Sequence, residues 1–171
     1  SVTVRFGGFV REEWTGEKMN ITYVDCREVE AIPYDILVSG YDSEAVSVLR
    51  LWKAKSKRSF DMQSFSQGDY MRAVEADTRA EMITKVLYPN DSHAEGKSLR
   101  LKQQYLLVSG AAQNIVRDHL ENYGDLRTLP LHAVIHINDT HPAMCIPELM
   151  RILMDEHGFS WDDAWNIVTE T

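Results

Sequence analysis

The chain has 171 residues, 44% of them hydrophobic and 26% charged, with nine glycines, five prolines and two cysteines. Such a composition excludes collagen-like, low-complexity and disulfide-scaffold chains, and it fits a globular fold with one sizeable core and room for a small second one. A formal net charge of -8, from 18 Lys and Arg against 26 Asp and Glu, excludes a nonspecific nucleic-acid binder, whose phosphate contacts need clustered cations, yet leaves room for an anion held locally. No apolar run approaches the roughly 20 residues that cross a bilayer, and no leader pattern opens the chain, so no membrane partner and a cytoplasmic location are expected. Cys26 and Cys145 stand far apart without a second ligand at zinc spacing, as in a reduced intracellular protein.

Alternating Val2, Val4 and Phe6 predict a strand over 2–10. Ile21, Tyr23 and Val29 predict another over 19–31, and the polar turn with Thr15 and Gly16 joins the two as a hairpin. Pro33 has no N–H to donate and is expected to break pairing; Gly40 marks a turn before a strand over 46–55. Residues 60–68 keep no period and read as a connector. Tyr70, Val74, Met82, Ile83, Val86 and Leu87 have helical spacing that weakens at Asp77 and Thr78, so two helices or one kinked helix fit, ending at Pro89.

A polar loop over 88–97 precedes a helix from Ser98 to about Asn122, long for a globular protein, with Gly110, Ala111 and Ala112 allowing close approach. Within Leu131–Asn138 the run Ala133, Val134, Ile135 and Ile137 predicts a strand covered on both faces. Pro142 then opens a helix with a buried stripe of Ile146, Leu149, Met150 and Leu153 and a Gly158 cap. Ser160 with Asp163 resembles a capping box ahead of a last helix through Trp161, Ala164, Trp165 and Val168. The tryptophans fall mostly at apolar periods and are expected in the core.

The fold class is therefore α/β: an α+β-like first half with antiparallel strands, then helices around a buried strand-loop-helix unit. Its expected parts are a β-rich 1–59, a connector, helix and loop over 60–97, and a helical 98–171. Both chain ends fall inside predicted elements, the expectation for a piece of a larger lobe.

Asn138-Asp139-Thr140-His141-Pro142 lies at the carboxyl end of the predicted strand and at a helix start, where side chains and free N–H groups converge on a ligand. The same residues also make a capping turn with no ligand at all. The loop Tyr88 to Gly96, with Asp91, Ser92 and a flexible glycine, suits a lid and equally a solvated connection. His132 and His136 would stand about 13 Å apart along a strand, too far to share one zinc ion, so no metal is expected. Dinucleotide, Walker, nucleophile-elbow and Cys-x-x-Cys motifs are absent from the sequence.

The words Leu87-Tyr88-Pro89-Asn90-Asp91, Glu95-Gly96-Lys97, Leu99-Arg100-Leu101-Lys102-Gln103, Asn138-Asp139-Thr140-His141-Pro142 and Ile146-Pro147-Glu148-Leu149-Met150-Arg151, in this order and spacing, closely resemble the glycogen and wider α-glucan phosphorylase family. Pro33-Tyr34-Asp35, Leu49-Arg50-Leu51-Trp52 and Trp161-Asp162-Asp163-Ala164-Trp165 extend the likeness over nearly the whole chain. The resemblance implies a glycosyltransferase of two lobes, of the GT-B type, with this chain a slice of the N-terminal lobe. It implies phosphorolysis of the non-reducing end of an α-1,4-glucan to α-glucose 1-phosphate with retention. Pyridoxal phosphate, held by a lysine outside this segment, would serve as proton shuttle, and the isolated segment would be inert.

Residue by residue, the resemblance implies that Asp91 is the acidic switch of the loop that gates the catalytic site, a positioning charge and not an acid or base. Ser92 stands where animal members have a glucose-binding asparagine, and His93 where they have a stacking phenylalanine, which sets the chain apart from the animal inhibitor site. Asp139 and His141 match residues lining the sugar pocket, with Asp139 orienting a histidine just past Thr171. The helix around 68–79 resembles the one that packs on its twin in a homodimer. Arg117 matches the first of two arginines that hold the AMP phosphate in animal members, but Asp118 replaces the second, which implies weak or absent AMP activation. The alternative is a stand-alone carbohydrate-binding or dimerisation module derived from such an enzyme; the uncapped helical end at Thr171 speaks against it.

Overall fold

The computed structural model describes residues 1–16 and 18–171, with the backbone but not the side chain of Lys18. In chain order it holds β1 (Val2–Phe6), β2 (Phe9–Thr15), β3 (Lys18–Val24), β4 (Arg27–Ser39) and β5 (Val46–Ser56), then α1 (Met62–Ser66), α2 (Tyr70–Lys85), α3 (Ala94–Tyr123), α4 (Leu129–His132), α5 (Cys145–Arg151) and α6 (Trp161–Glu170). These elements form two compact units, one of Ser1–Phe6 with Glu28–Leu107 and one of Gly7–Arg27 with Val108–Thr171. The mixed α/β class expected from the sequence holds, with antiparallel pairing in the β-rich part.

The first unit is a sheet in the order β1-β4-β5 with α2 laid on it. Small residues meet at the contact: Ala31 and Ala54 of the sheet and Ala73 and Ala80 of α2 are all buried, together with Val4, Val29, Trp52, Ile83 and Leu106. Alanines let the helix backbone approach closely, so side chains of the larger residues fill the flanks. The Ala54 N–H on the edge strand donates to Thr84 Oγ1 at 3.0 Å, which satisfies a strand donor from the helix.

The predicted strand over 2–10 is in fact two strands in two sheets. Gly7 and Gly8 take φ of +66° and +74°, a left-handed conformation that strands do not continue through. The chain therefore leaves β1 and re-enters as β2, which pairs with β3 from Phe9↔Val24 to Thr15↔Lys18. The expected 19–31 strand is likewise divided, at Asp25 with φ +56°.

Pro33 does not interrupt pairing: β4 runs through it, opposite Trp52 of β5. Ser1 Oγ donates to Glu30 and Arg5 pairs with Glu28, so five-residue β1 lies beside the first part of β4. The missing N–H of Pro33 falls past the end of β1, on an open edge where no ladder bond is lost.

Residues 60–68 are not a plain connector but contain α1. Asp61 caps it, its Oδ1 accepting from the Ser64 N–H at 3.0 Å and its Oδ2 from the Ser64 hydroxyl at 2.7 Å. Those bonds hold the Asp61 carboxyl below the usual carboxylate range. The 70–87 pattern resolves to one helix, α2, capped by Asp69, and α3 begins at Ala94, four residues before the expected Ser98.

The second unit is helical at its core, where Ala112, Val116, Leu126, Leu129, Leu149, Met150, Ile152, Leu153, Ala164 and Ile167 are buried together. The strand expected over 131–138 is not formed among the described residues. Pro130 in the first turn of α4 makes its beginning helical. Ala133 is extended, residues 134–138 have no regular secondary structure, Val134 is 87% exposed, and the Ile135 N–H bonds to the Thr171 carbonyl at 2.9 Å.

Pro142 opens a 3-10 turn (His141–Met144) that leads into α5, which continues as a π-helical turn over Ile152–Glu156. Gly158, at φ +71°, ends it: its N–H bonds to Met154 O and the Phe159 N–H to Leu153 O, a left-handed helix cap. Ser160 caps α6 as expected. Ile146 is exposed rather than part of the buried stripe, and Ile152 fills that role. Of the tryptophans only Trp52 is in a core; Trp14, Trp161 and Trp165 are exposed, contrary to their apolar periodicity.

The two glycines after β1 differ in a testable way. An added Cβ at Gly7 meets nothing within 4 Å, whereas at Gly8 it would lie 2.3 Å from the Val24 carbonyl oxygen and 2.6 Å from Cys26 Sγ. Gly7→Ala should cost about 1–2 kcal/mol from left-handed strain alone. Gly8→Ala should add an overpacking cost of roughly 1–3 kcal/mol. Urea denaturation of the two variants checks this; equal losses would contradict the assigned close approach.

Candidate functional site

In the first unit the candidate residues sit where α2 hands over to α3. Val86 leaves the helix in an extended conformation and its carbonyl accepts from buried Gln103 Nε2 at 2.8 Å, which ties the start of the loop to α3. Tyr88 takes a left-handed φ of +58° before Pro89. The Asn90 Oδ1 accepts from the Ser92 N–H at 2.9 Å, an Asx turn that fixes Asp91 at the tip.

His93 then acts as the N-cap of α3, with Nδ1 accepting from the Gly96 N–H at 3.0 Å and its carbonyl from Lys97 at 3.1 Å. Gly96 is needed for space, not for flexibility: a Cβ there would lie 1.7 Å from the Asn90 carbonyl oxygen. The loop backbone thus crosses directly over the first turn of the helix. Asp91 Oδ2 accepts from Arg100 Nη1 at 2.7 Å, one turn into α3, and both side chains are partly exposed. Ser92 is exposed beside it.

Asp139, His141 and Arg117 belong to the second unit. Asp139 has φ +87°, a left-handed backbone that costs a non-glycine residue and is held by its own side chain. Its Oδ1 accepts from the Thr140 N–H at 2.5 Å and the Thr140 hydroxyl at 3.2 Å, and lies 3.7 Å from His141 Nδ1. The turn therefore brings the Asp139 carboxylate and the His141 imidazole together on an exposed surface. Arg117 donates from Nη2 to Asn114 Oδ1 at 2.5 Å and has Asp118 and Glu121 carboxylates at 3.8 and 3.9 Å. Two carboxylates that close weaken the local field for any anion.

Sequence reasoning did not find the polar centre on α5, the helix that follows the Asp139 turn. Glu148 of α5 is 4% exposed. Its Oε1 accepts from Arg151 Nη2 at 2.9 Å and from the Ser109 hydroxyl at 2.6 Å, and its Oε2 accepts from Arg151 Nε at 2.9 Å. Gln113 donates to Ser109 Oγ at 3.0 Å, and Arg151 Nη1 reaches Glu156 at 2.7 Å. Burial alone disfavours the Arg151 charge, but the bonds to Glu148 and Glu156 outweigh it and push its pKa up. The guanidinium also sits 5.9 Å from the Tyr23 ring, whose hydroxyl donates to Asp155. Burial, then the bond to Asp155, raises the Tyr23 pKa to about 12. The only sequence signal for this centre was a Glu and an Arg three apart on a helix with apolar neighbours.

Among the described residues no group of three or more His, Cys, Asp or Glu side chains is placed to hold a metal ion. No described helix is long and apolar enough to cross a membrane. Both cysteines are free, and burial, with Glu148 nearby, raises the Cys145 thiol pKa.

Comparison with known proteins assigns the chain to a family. A family model described as carbohydrate phosphorylase matches residues 1–171, and the chain belongs to that family. It is similar to the glycogen phosphorylase of Pasteurella multocida, with 43% identity over 165 residues, covering 96% of this chain and 20% of that protein. Identity to the Synechocystis glycogen phosphorylase is 42% over 173 residues, covering all of this chain and 20% of the relative. To the brain form of the human enzyme it is 43% over 176 residues, covering 98% and 20%. The chain spans about one fifth of the length of these relatives.

Because the folded state holds the Tyr23 proton more tightly than an unfolded chain does, the stability Tyr23 contributes is present below about pH 10 and is lost as the pH climbs toward about 12. Urea midpoints across this range should fall more steeply for the native chain than for Tyr23→Phe. Parallel curves would contradict the Tyr23–Asp155 bond.

Proposed function

We propose that this chain is a segment of the N-terminal lobe, of the GT-B type, of a cytoplasmic glycogen or α-1,4-glucan phosphorylase. The whole enzyme releases α-glucose 1-phosphate from the non-reducing end of the glucan with retention, using inorganic phosphate. One observation carries this: the family match runs over residues 1–171 and so includes the strained Asp139 turn.

Within that enzyme the residues of this chain position; they do not transfer protons. Asp139 holds a carboxylate and His141 an imidazole at the edge of the sugar pocket, preset by the Thr140 bonds. Ser92 offers a hydroxyl to the sugar at the tip of the gate. Asp91 is the gate charge. Paired with Arg100, it keeps a negative charge on the loop that opposes a phosphate dianion until the loop moves, so this loop position and phosphate binding disfavour each other. Arg117, crowded by Asp118 and Glu121, supports at most a weak AMP site. The exposed side of the 68–79 stretch, most of it in the first part of α2, provides the homodimer contact.

Pyridoxal phosphate supplies phosphate-mediated proton shuttling to this family. Among the described residues every lysine side chain is exposed and none is enclosed as a Schiff-base lysine; the cofactor lysine is placed outside this segment.

The parent protein carrying this sequence, purified with its cofactor and given maltodextrin and phosphate, should form α-glucose 1-phosphate. Asp139→Asn should lower its kcat/KM roughly 10–100-fold through lost positioning, and the 171-residue chain alone should form none. A parent without phosphorolysis, or product from the chain alone, would overturn the proposal.

A further inference from the structure

In the loop over 88–97 one backbone donor is held by a titratable ring: the Gly96 N–H donates to His93 Nδ1 at 3.0 Å. An imidazole nitrogen accepts only when it carries no proton, so this bond selects the neutral ring with its proton on Nε2. The other ties of the loop involve no imidazole, since Asn90 Oδ1 accepts from the Ser92 N–H and Asp91 pairs with Arg100. The ring is also packed into the loop. A Cβ on Gly96 would lie 1.7 Å from the Asn90 carbonyl oxygen and 3.1 Å from His93 Cε1, so the ring and that carbonyl meet over one residue of α3. What holds the ring there also holds the two residues between them, Asp91 and Ser92.

A second proton turns the acceptor into a donor. Nδ1–H and the Gly96 N–H would then face each other, and a cation would sit at the N-terminus of a 30-residue helix, where the dipole disfavours it. The charged groups near the ring are Glu95, with Oε2 3.4 Å from Nδ1, then Lys97 and the Asp91–Arg100 pair on the loop and α3, with Lys85 at the end of α2. Glu95 is the partner an imidazolium would take. Its side chain is 87% exposed, so the pair contributes little, and forming it draws Nδ1–H away from Gly96. With or without Glu95, the protonated ring gives up the cap. Imidazole is the side chain whose ordinary charge change falls between pH 5 and 8.

We propose that His93 is a positioning residue for the gate: as the neutral ring it caps α3 and holds Asp91 in the place described above, and as the imidazolium it releases both. The gate role of Asp91 rests on the phosphorylase function proposed above. Because the held position opposes a phosphate dianion, protonation of His93 eases phosphate binding relative to a cap that does not titrate.

The test compares the parent protein with its His93→Asn and His93→Phe variants at about pH 8 and about pH 5.5, on either side of the imidazole range. Asparagine keeps a capping acceptor at both pH values and phenylalanine has none at either. Amide hydrogen exchange over 88–97, normalised for intrinsic rates, reads the cap, and KM for phosphate reads the gate. Comparing variants at one pH cancels the ionisation of phosphate itself. At the higher pH the native protein should match His93→Asn, while His93→Phe exchanges roughly fivefold faster with a KM up to about fivefold lower. At the lower pH the native protein should move to the His93→Phe values. Native exchange that matches His93→Asn at both pH values, or departs from it by the same factor at both, overturns the proposal. The expected exchange pattern with a KM that does not follow it also overturns the positioning role, since the cap then titrates without moving the gate. The exchange pattern in a parent without phosphorolysis keeps the acid-released cap and overturns the phosphorylase assignment instead.

Discussion

The Glu148–Arg151 pair is the interaction on which the second unit depends. Removing both charges from water costs several kcal/mol each, and only good geometry with additional hydrogen bonds offsets that. Here two N–H groups of one guanidinium meet one carboxylate at 2.9 Å each, and the Ser109 hydroxyl fills a further acceptor position. The pair lies on α5, Ser109 on α3, and Glu156 on the turn beyond, so one centre fixes two consecutive segments relative to a long helix. Tyr23, beside the guanidinium and bonded to Asp155, brings the β2–β3 ribbon to the same place. The turn with Asp139 and His141 is the immediate lead-in to the helix this centre holds.

Both candidate turns use the same local device. A polar side chain bonds a backbone N–H at or just before a helix start, and a costly backbone conformation accompanies it: Tyr88 ahead of the His93 cap, and Asp139 itself ahead of the 3-10 turn. Such strain persists only where the surroundings over-determine it. In the first turn the surroundings are the Asn90 carbonyl pressed on Gly96 and the Gln103 amide on Val86. In the second they are the bonds between the Asp139 carboxylate and Thr140. Preset turns of this kind can orient substrate without taking part in proton transfer, which is the part assigned to this segment.

Much of this was legible in the sequence, and what was not has physical causes. The helices were visible in periodicity, the Ser160 and Gly158 caps in residue type, and the family in the words around Pro89 and Pro142. The division of 2–10 was hidden because Val2 to Val10 keeps β-type residues across a glycine pair whose left-handed φ decides the sheet each half joins. Pro33 misled because its effect depends on which side of β4 has a neighbour, a tertiary fact. The apolar run after Leu131 was read as a covered strand, but a short run does not distinguish a strand from a helix end followed by extended chain, and Pro130 decided for the helix. Helical period placed Trp161 and Trp165 in the core although they lie on its open side. Within the sites, residue identity pointed to Asp91 and Asp139, whereas the close contact at Gly96 and the partners of Glu148 emerged only from the fold.

The most direct test of the central claim, that a buried ion pair and not a sheet organises the unit carrying the Asp139 turn, is a double-mutant cycle of Glu148→Gln and Arg151→Met read by urea denaturation. Each single change breaks the buried pair and leaves the other charge short of its main partner, which should cost about 3–5 kcal/mol, while the double variant should cost much less than the sum. Small losses that simply add would contradict the account.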